Sequence, residues 1–184
     1  MQFNQLTDHI YTIDGFYTAR ECDELIAKSE SLGYAPAAIQ TERGQRVITT
    51  VRNNNRVLYT DEAFAQLLWE QVKPFAPAKT GNSYAIGLNE LFRFYRYEPG
   101  QQFRRHRDQS YFRNSVEASY YTFMIYLNDN FEGGETKFNK LSIAPKQGMA
   151  LIFLHDLEHE GCPVTAGMKY VLRTDIMYRL ETKH

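Results

Sequence analysis

The half of the chain after about residue 88 consists of short runs of aromatic and β-branched residues, and this pattern limits the folds open to it. Gly, Pro, Asn and Asp interrupt the runs at short intervals, as at Pro99-Gly100. Such spacing is typical of an antiparallel sandwich or barrel. The last run alternates clearly, which puts Lys169 and Arg173 on one face of a strand. The runs are LFRFYRYEPG, SYYTFMIYLND, ETKFN, LSIAP, MALIFL and KYVLRTDIMYRL.

The part of the chain before these runs contains two helix patterns. The segment from Thr18 to Gly33 has a capping residue, acidic first turns and a glycine stop. A second helix is predicted to begin after Thr60 and to end at Pro74, and RVITTVRNNNRVLY between the two is predicted to be extended. The apolar positions of the first helix that fall at helical spacing are Cys22, Leu25, Ile26 and Leu32. The buried stripe predicted for the second helix consists of Phe64, Leu67, Leu68 and Val72.

Helices followed by a block of strands indicate an α+β fold class. We expect a double-sheet jelly roll, that is a double-stranded β-helix core, with the N-terminal helices packed on one sheet. The length of 184 residues predicts a single domain over 1–184, with a helical support region over about 1–88 and a jelly-roll core over about 89–181.

Charge and composition argue against several classes of protein. A formal net charge of −1 disfavours a dedicated nucleic-acid binder, which is normally strongly basic. No apolar stretch approaches the length of a membrane span, and no signal peptide is evident at the start of the sequence. Two sparse cysteines, Cys22 and Cys162, fit a reducing compartment, so we expect a cytoplasmic protein. The oligomeric state is not predicted.

The triplet His106-Arg107-Asp108 is a candidate metal site. Residues i and i+2 of an extended segment point to the same side, so an imidazole and a carboxylate converge. One further histidine, His155 or His159, would complete a two-histidine, one-carboxylate triad of the kind that binds Fe(II). One alternative is an ordinary surface pair among neighbouring arginines. A helical zinc pair from the two later histidines is disfavoured because the glutamate of a HExxH motif is missing.

Lys169 and Arg173 lie on the polar face of the last strand without an obvious partner. A buried cation requires an anion, because an unpaired buried charge is costly. A dicarboxylate co-substrate would supply that anion. The alternatives are an internal salt bridge to Asp175 or Glu181, or a strand face that is simply solvated.

Five segments in one order carry a resemblance to a known family. They are YEPGQQFRRHRD, YTFMIYLND, FEGGETKF, PKQGMALIF and HEGCPVTAGMKYVLR. Their order and spacing resemble Fe(II)/2-oxoglutarate-dependent dioxygenases, and among these the prolyl 4-hydroxylase-like group, over about Leu91 to Arg179. The helical opening DGFYTARECDELIAKSESLGY also looks like the start of that group's catalytic domain.

The resemblance assigns roles to residues that match the family's motifs. It implies that His106, Asp108 and His159 hold the metal, with His159 favoured over His155 because it leads the HEGCPV segment. It also implies that Lys169 pairs with the far carboxylate of 2-oxoglutarate and that the Tyr97 hydroxyl contacts the same molecule.

Thr122 and Tyr126 align with residues of the co-substrate pocket wall. Arg173 departs from the pattern, because the collagen-type enzymes have an uncharged residue there; it is expected to share the carboxylate with Lys169 or to point to the substrate mouth. The segment VRNNNR resembles the loop that shapes the peptide groove of this group. Its candidates for substrate contact are Arg52, Asn54 and Arg56.

The activity implied by the resemblance is hydroxylation of a C–H bond coupled to oxidative decarboxylation of 2-oxoglutarate to succinate. The cofactors implied are Fe(II), 2-oxoglutarate as co-substrate, O2, and ascorbate as a stimulant. The group favours a prolyl or other residue in a protein or peptide as the substrate. The alternatives are a free amino acid or small metabolite as substrate, or a non-catalytic jelly-roll binding or sensing module. No membrane partner is expected, and nucleic acid is disfavoured.

Overall fold

The two helices begin at side chains that satisfy the first free N–H groups of a helix. Helix α1 spans Ala19–Leu32, where Thr18 accepts a hydrogen bond from the Glu21 N–H and the Glu21 carboxylate accepts one from the Thr18 N–H. The helix ends at Gly33, whose φ of 82° favours glycine. Helix α2 spans Glu62–Val72. Both helices predicted from the sequence are confirmed.

The structure is a computed structural model that describes residues 1–37, 39–41, 44–46 and 52–181, with the backbone only for residues 39–41 and 44–46. Part of the segment predicted to be extended, residues 47–51, therefore lies outside the described residues. Among the helices that are described, none has the length and apolar character needed to cross a membrane.

The strands come in three groups along the chain. Those before and between the helices are β1 (Gln2–Thr7), β2 (Ile10–Asp14), β3 (Ala35–Pro36), β4 (Ile39–Thr41), β5 (Gly44–Arg46) and β6 (Asn55–Thr60). Those from α2 to the HxD triplet are β7 (Lys79–Thr80), β8 (Ser83–Leu88), β9 (Leu91–Tyr97) and β10 (Phe103–His106). The remaining strands are β11 (Glu117–Tyr126), β12 (Glu132–Gly133), β13 (Thr136–Phe138), β14 (Ser142–Ile143), β15 (Ala150–Leu154), β16 (His159–Gly161), β17 (Val164–Ala166) and β18 (Lys169–Leu180).

Two antiparallel sheets form the core of the fold. The large sheet has the strand order β1-β2-β15-β11-β18-β9-β6-β3, with β8 also paired to β18 and β7 paired to β8. The small sheet has the order β10-β16-β13-β14, and β12-β17 and β4-β5 are separate two-stranded pairs. This is the double-stranded β-helix that the sequence predicts.

The two faces of the large sheet bury different sets of side chains. On β9, Phe92 and Phe94 point outwards and pack with both helices, whereas Tyr95 and Tyr97 point inwards toward the small sheet. The alternation follows from the two-residue period of a strand. The helices therefore cover the outer face and leave the inner face for the space between the sheets.

The strands at the N-terminus were not predicted. Strand β1 pairs with β2, and β2 pairs with β15, so the first residues of the chain extend the large sheet. Leu67, predicted to lie in the buried stripe of α2, is 68% exposed instead. That prediction was wrong because a helix period does not fix where the buried stripe ends. Leu32, at the end of α1, is 43% exposed. The division of the domain at about residue 88 stays a prediction.

Candidate metal centre

Three potential metal ligands converge between the two sheets. The Nε2 atom of His106 lies 3.6 Å from Asp108 Oδ1, and the Nε2 atom of His159 lies 3.8 Å from Asp108 Oδ2. One ligand atom from each residue lies within 4.8 Å of the others. Two imidazole nitrogens and a carboxylate form the donor set that suits Fe(II) with open coordination positions.

Local strand pairing brings the three residues together. Strands β10 and β16 are neighbours in the small sheet, with His106 directly opposite His159. The chain leaves β10 after His106, and the backbone N–H of Asp108 donates to the carbonyl oxygen of His155 at 3.1 Å. Two residues from one strand end and one from the adjacent strand therefore form the site.

Each ligating histidine is oriented by its other ring nitrogen. The Nδ1 atom of His106 lies 2.7 Å from the Arg104 carbonyl oxygen, and that of His159 lies 2.9 Å from the Leu157 carbonyl oxygen. Because a carbonyl oxygen only accepts, Nδ1 must carry the proton in both rings. The lone pair is then on Nε2, which faces the site, as a metal-binding histidine requires.

The charges of the ligands also suit a cation. Burial lowers the pKa of His159 to about 4, which leaves the imidazole neutral at physiological pH. Burial raises the pKa of Asp108, but the positive charge of Arg173 and the neighbouring histidines outweigh it and hold that pKa well below its usual range. The site thus presents an ionised carboxylate and, at His159, a neutral imidazole.

The cavity beside these ligands contains a buried lysine. The volume of the cavity is about 50 Å³, and its lining includes all three ligands and Lys169. Lys169 is 3% exposed, and its Nζ donates to the Gly134 carbonyl oxygen at 2.6 Å. In the described part of the chain no carboxylate lies within ion-pair distance of it. Burial lowers the pKa of Lys169 to about 8.

Aromatic and hydroxyl groups surround Lys169. Its ammonium lies 5.2 Å from the ring centre of Tyr97 and 5.5 Å from that of Tyr126. Tyr97 lines the cavity, whereas the buried Tyr126 lies behind the wall with its hydroxyl 2.6 Å from Thr136 Oγ1. A Cβ at Gly134, where φ is +71°, would lie 3.1 Å from the lysine side chain. Glycine therefore lets the backbone approach Lys169 closely.

Arg173 lines the cavity but is already paired. Its Nη2 lies 3.2 Å from Asp108 Oδ2 and 3.1 Å from Asp175 Oδ1. The internal salt bridge to Asp175, one of the alternatives from the sequence, is therefore present for Arg173 and not for Lys169. Thr122 also lines the cavity and donates its hydroxyl to Asp108 Oδ2 at 2.5 Å.

The three candidates for substrate contact lie beside the cavity rather than in its lining. Arg52 is 4% exposed, with its guanidinium 4.2 Å from the ring centre of Tyr95 and 4.3 Å from that of Phe103, both of which line the cavity. Asn54 is fully buried and accepts from Arg52 Nε at 2.6 Å. Arg56 is partly buried, and burial lowers its pKa.

Sequence reasoning missed the contribution of two residues. Thr136 lines the cavity and holds the Tyr126 hydroxyl, and only its place in the FEGGETKF segment was a signal for it. Asp175 appeared only as a salt-bridge partner, although it shares the inner face of β18 with Arg173 and is 1% exposed. His155, the alternative third ligand, faces this aspartate, with Nε2 3.5 Å from Asp175 Oδ1.

The residues present fit an Fe(II) ion and a dicarboxylate together. Oriented Nε2 atoms and an ionised carboxylate supply the metal ligands, and Lys169 supplies a buried cation in the same cavity. An unpaired cation is costly in a protein interior, so its place in an open cavity is best explained by an anionic ligand.

The chain is similar in sequence to known proteins of one superfamily. Residues 92–174 match the sequence model of the 2OG-Fe(II) oxygenase superfamily. Prolyl 4-hydroxylase 2 of Arabidopsis thaliana is 24% identical over 201 residues, which cover 87% of this chain and 64% of the relative. The chain thus spans less than two thirds of that relative's length. Prolyl 4-hydroxylase 13 of the same plant is 23% identical, and the aligned residues cover 88% of this chain and 68% of the relative.

Solved structures show the same fold. A viral collagen prolyl hydroxylase from Paramecium bursaria Chlorella virus-1, solved as a 2OG complex, has a TM-score of 0.66 and 22% identity, covering 94% of this chain and 97% of its own. A Pseudomonas putida prolyl-4-hydroxylase has a TM-score of 0.66 and 17% identity, and the match covers 95% of this chain and 94% of the other chain. The superfamily match runs from β9 to the middle of β18 and includes all three candidate metal ligands.

Proposed function

We propose that the protein is an Fe(II)- and 2-oxoglutarate-dependent hydroxylase that acts on a prolyl or other residue of a protein or peptide. One observation carries the proposal: His106, Asp108 and His159 converge in the same cavity as a buried lysine, Lys169, that has no carboxylate partner among the described residues. A metal ligand set and a buried cation in one cavity fit a metal together with a co-substrate that carries a distant carboxylate.

The roles of the metal ligands follow from their hydrogen bonds. His106 and His159 would hold Fe(II) through Nε2, because the carbonyl oxygens on Nδ1 fix the tautomer and the ring orientation. Asp108 would supply the carboxylate ligand. Bound Fe(II) supplies redox chemistry in which 2-oxoglutarate and O2 become succinate and CO2 while one C–H bond of the substrate becomes C–OH.

The remaining residues of the cavity bind and orient the co-substrate in this proposal. Lys169 holds the far carboxylate of 2-oxoglutarate, and its burial strengthens that ion pair because little water competes for it. Tyr97, next to Lys169 on the cavity wall, donates its hydroxyl to the same carboxylate. Arg173 is engaged with two aspartates, so Lys169 is the better candidate for the anchor.

The residues proposed to contact the substrate lie behind the part of the cavity wall that Tyr95 and Phe103 form. Arg52 is held against both rings and by Asn54, and with Arg56 it gives this side of the cavity a positive charge. The similarity to proteins named prolyl 4-hydroxylases supports a prolyl substrate. We include in the proposal stimulation by ascorbate and a cytoplasmic location, the latter because Cys22 and Cys162 are free thiols.

The test is succinate formation by protein reconstituted anaerobically with Fe(II) and then given 2-oxoglutarate and O2. The assay is run alone, with proline-rich peptides, with free amino acids, and with and without ascorbate. We expect succinate from the wild type, more of it with a peptide, and none above background from His106→Ala or Asp108→Ala. Circular dichroism should show that both variants keep the fold.

Each result has a distinct meaning. Full activity in both ligand variants would refute the assignment of the metal site. Stimulation by a free amino acid and by no peptide would refute the peptide substrate and leave the hydroxylase chemistry in place. No succinate from the wild type, together with tight binding of 2-oxoglutarate, would instead support a sensing module.

A further inference from the structure

Arg173 contacts the metal-binding carboxylate rather than open space in the cavity. Its Nη2 bridges two carboxylates, Asp108 Oδ2 at 3.2 Å and Asp175 Oδ1 at 3.1 Å. Its side chain is 13% exposed, and those of both aspartates are more buried. A charge-assisted contact in such a place is strong and well oriented, because few water molecules compete for it.

Asp175 is itself held from three further sides. Arg93 Nη1 lies 3.1 Å and Asn89 Nδ2 lies 3.3 Å from its Oδ2, and His155 Nε2 lies 3.5 Å from its Oδ1. The burial of Asp175 raises its pKa, but Arg173, His155 and Arg93 outweigh that effect and lower it. The carboxylate under Arg173 is therefore an ionised, fixed point in the fold.

The two oxygens of Asp108 differ as a result. Oδ2 accepts the Thr122 hydroxyl at 2.5 Å and faces Arg173, and it also lies 3.8 Å from His159 Nε2. Oδ1 receives neither of these contacts and lies 3.6 Å from His106 Nε2. A carboxylate with one oxygen occupied in this way cannot rotate freely and has its other oxygen free for a metal.

We propose that Arg173, fixed by Asp175, is a positioning residue that holds the Asp108 carboxylate with Oδ1 presented to the metal. This inference rests on the proposed metal site. It gives Arg173 a role different from the two expected from the sequence, which were to share the co-substrate carboxylate or to point to the substrate mouth. Partners of this kind typically change metal affinity by about 10–100-fold.

The test compares Arg173→Gln with a matched control, Arg93→Gln. Both variants remove one arginine from Asp175, but only Arg173 touches Asp108. Mn(II) serves as a redox-stable probe, and free Mn(II) is measured by electron paramagnetic resonance. We expect the Mn(II) dissociation constant to rise about tenfold or more in Arg173→Gln, to change less than about threefold in Arg93→Gln, and to recover partly in Arg173→Lys.

Two further readouts separate positioning from the other roles. The visible absorption of bound Co(II) should change in Arg173→Gln and not in Arg93→Gln, because it reports the ligand geometry directly. The dissociation constant of 2-oxoglutarate, measured at saturating Mn(II), should stay within about threefold of wild type in Arg173→Gln. If that variant does not fold, Arg173→Lys and Asp175→Asn take its place, with smaller losses of Mn(II) affinity in the same direction.

Several outcomes would overturn the inference. Equal losses of Mn(II) affinity in Arg173→Gln and Arg93→Gln would show a general effect of the buried charges. Unchanged Mn(II) affinity with weakened 2-oxoglutarate binding would make Arg173 a carboxylate anchor. Wild-type protein that binds Mn(II) no better than His106→Ala would refute this inference and the proposed metal site together.

Discussion

A single lysine shows how burial prepares a site for an anion. Lys169 lies between the rings of Tyr97 and Tyr126, with one hydrogen bond to the Gly134 carbonyl oxygen. Desolvation lowers its pKa from 10.5 to about 8, so Lys169 is mostly charged at neutral pH and loses its charge above about pH 8. A carboxylate that arrives at the ammonium stabilises the charged form, and this coupling makes the binding of an anion dependent on pH.

The affinity for 2-oxoglutarate should therefore fall as the pH rises through about 8. In the proposed site the protonated form of Lys169 would bind the anion, and this form is the major one below the pKa of the empty site and a minor one above it. We expect the dissociation constant, measured by calorimetry on Mn(II)-loaded protein, to stay level up to about pH 8 and then to rise by up to about tenfold per pH unit.

Lys169→Arg is the control for this titration. An arginine remains protonated throughout this pH range. The dissociation constant of 2-oxoglutarate for Lys169→Arg should therefore stay level as the pH increases beyond about 8. Burial raises the pKa of Tyr95, but Arg52, Arg173 and Arg93 outweigh it and bring that pKa to about 8 as well. A rise of the same size in wild type and Lys169→Arg would assign the titration to another group such as Tyr95 and contradict the prediction.

At the scale of elements, the two faces of strand β18 have different roles. The inner face of β18 carries Lys169, Arg173 and Asp175 into the space between the sheets, while Leu172 and Ile176 on the outer face pack in the core with the helices. The outer residues fix the strand, and the fixed strand gives the inner cations their spacing. The core beneath the helices thus indirectly positions the site.

Helix α2 gives a direct measure of that core. Leu68 is 1% exposed, and its neighbour Leu67 is 68% exposed. Leu68→Ala should lower the free energy of unfolding by about 2–5 kcal/mol because it leaves a cavity. Leu67→Ala should change it by less than about 0.5 kcal/mol.

Urea denaturation of the metal-free protein compares these two variants under the same conditions. Equal losses of stability would contradict the placement of α2 on the large sheet. A loss of stability in Leu67→Ala alone would show that α2 packs on the large sheet with the face that carries Leu67 and not with the face that carries Leu68.

At the scale of the molecule, the proposed metal ion and 2-oxoglutarate would together connect the two sheets. His106 and His159 lie on the small sheet, whereas Lys169 and Tyr97 lie on the large sheet. A metal alone connects β10 with β16 and the segment that holds Asp108. The metal with 2-oxoglutarate also connects β18, so the co-substrate should stabilise the molecule as a whole.

The Tm should therefore increase in two steps, first on addition of Mn(II) and then on addition of 2-oxoglutarate. Mn(II) at about 100 times its dissociation constant should add about 2.7 kcal/mol of stability, and 2-oxoglutarate at the same excess a similar amount. Each step corresponds to an increase of about 5–10 °C in Tm. At the same ligand concentrations, Lys169→Ala should keep the first increase and lose most of the second.

Loss of both increases in Lys169→Ala would mean that Lys169 supports the fold or the metal rather than the co-substrate. Retention of both would contradict its role as the carboxylate anchor. His159→Ala, measured in parallel, should lose the first increase because it lacks a metal ligand.

The sequence by itself determined the local structure and which residues are the candidates for the metal site. Thr18 and Gly33 delimit α1, and alternation along β18 put Lys169 and Arg173 on one face, because capping and strand periodicity act over a few residues. The five family motifs carried the assignment of His106, Asp108 and His159 as ligands, and the structure brings these three residues together.

Only the tertiary structure decided which partner each charge has. Arg173 pairs with Asp108 across the two sheets, whereas Lys169 faces the cavity without a carboxylate among the described residues. The addition of β1 and β2 to the edge of the large sheet likewise depends on β15, which lies more than a hundred residues later in the chain. Such pairings are set by distance and burial between segments far apart in sequence, and no local pattern encodes them.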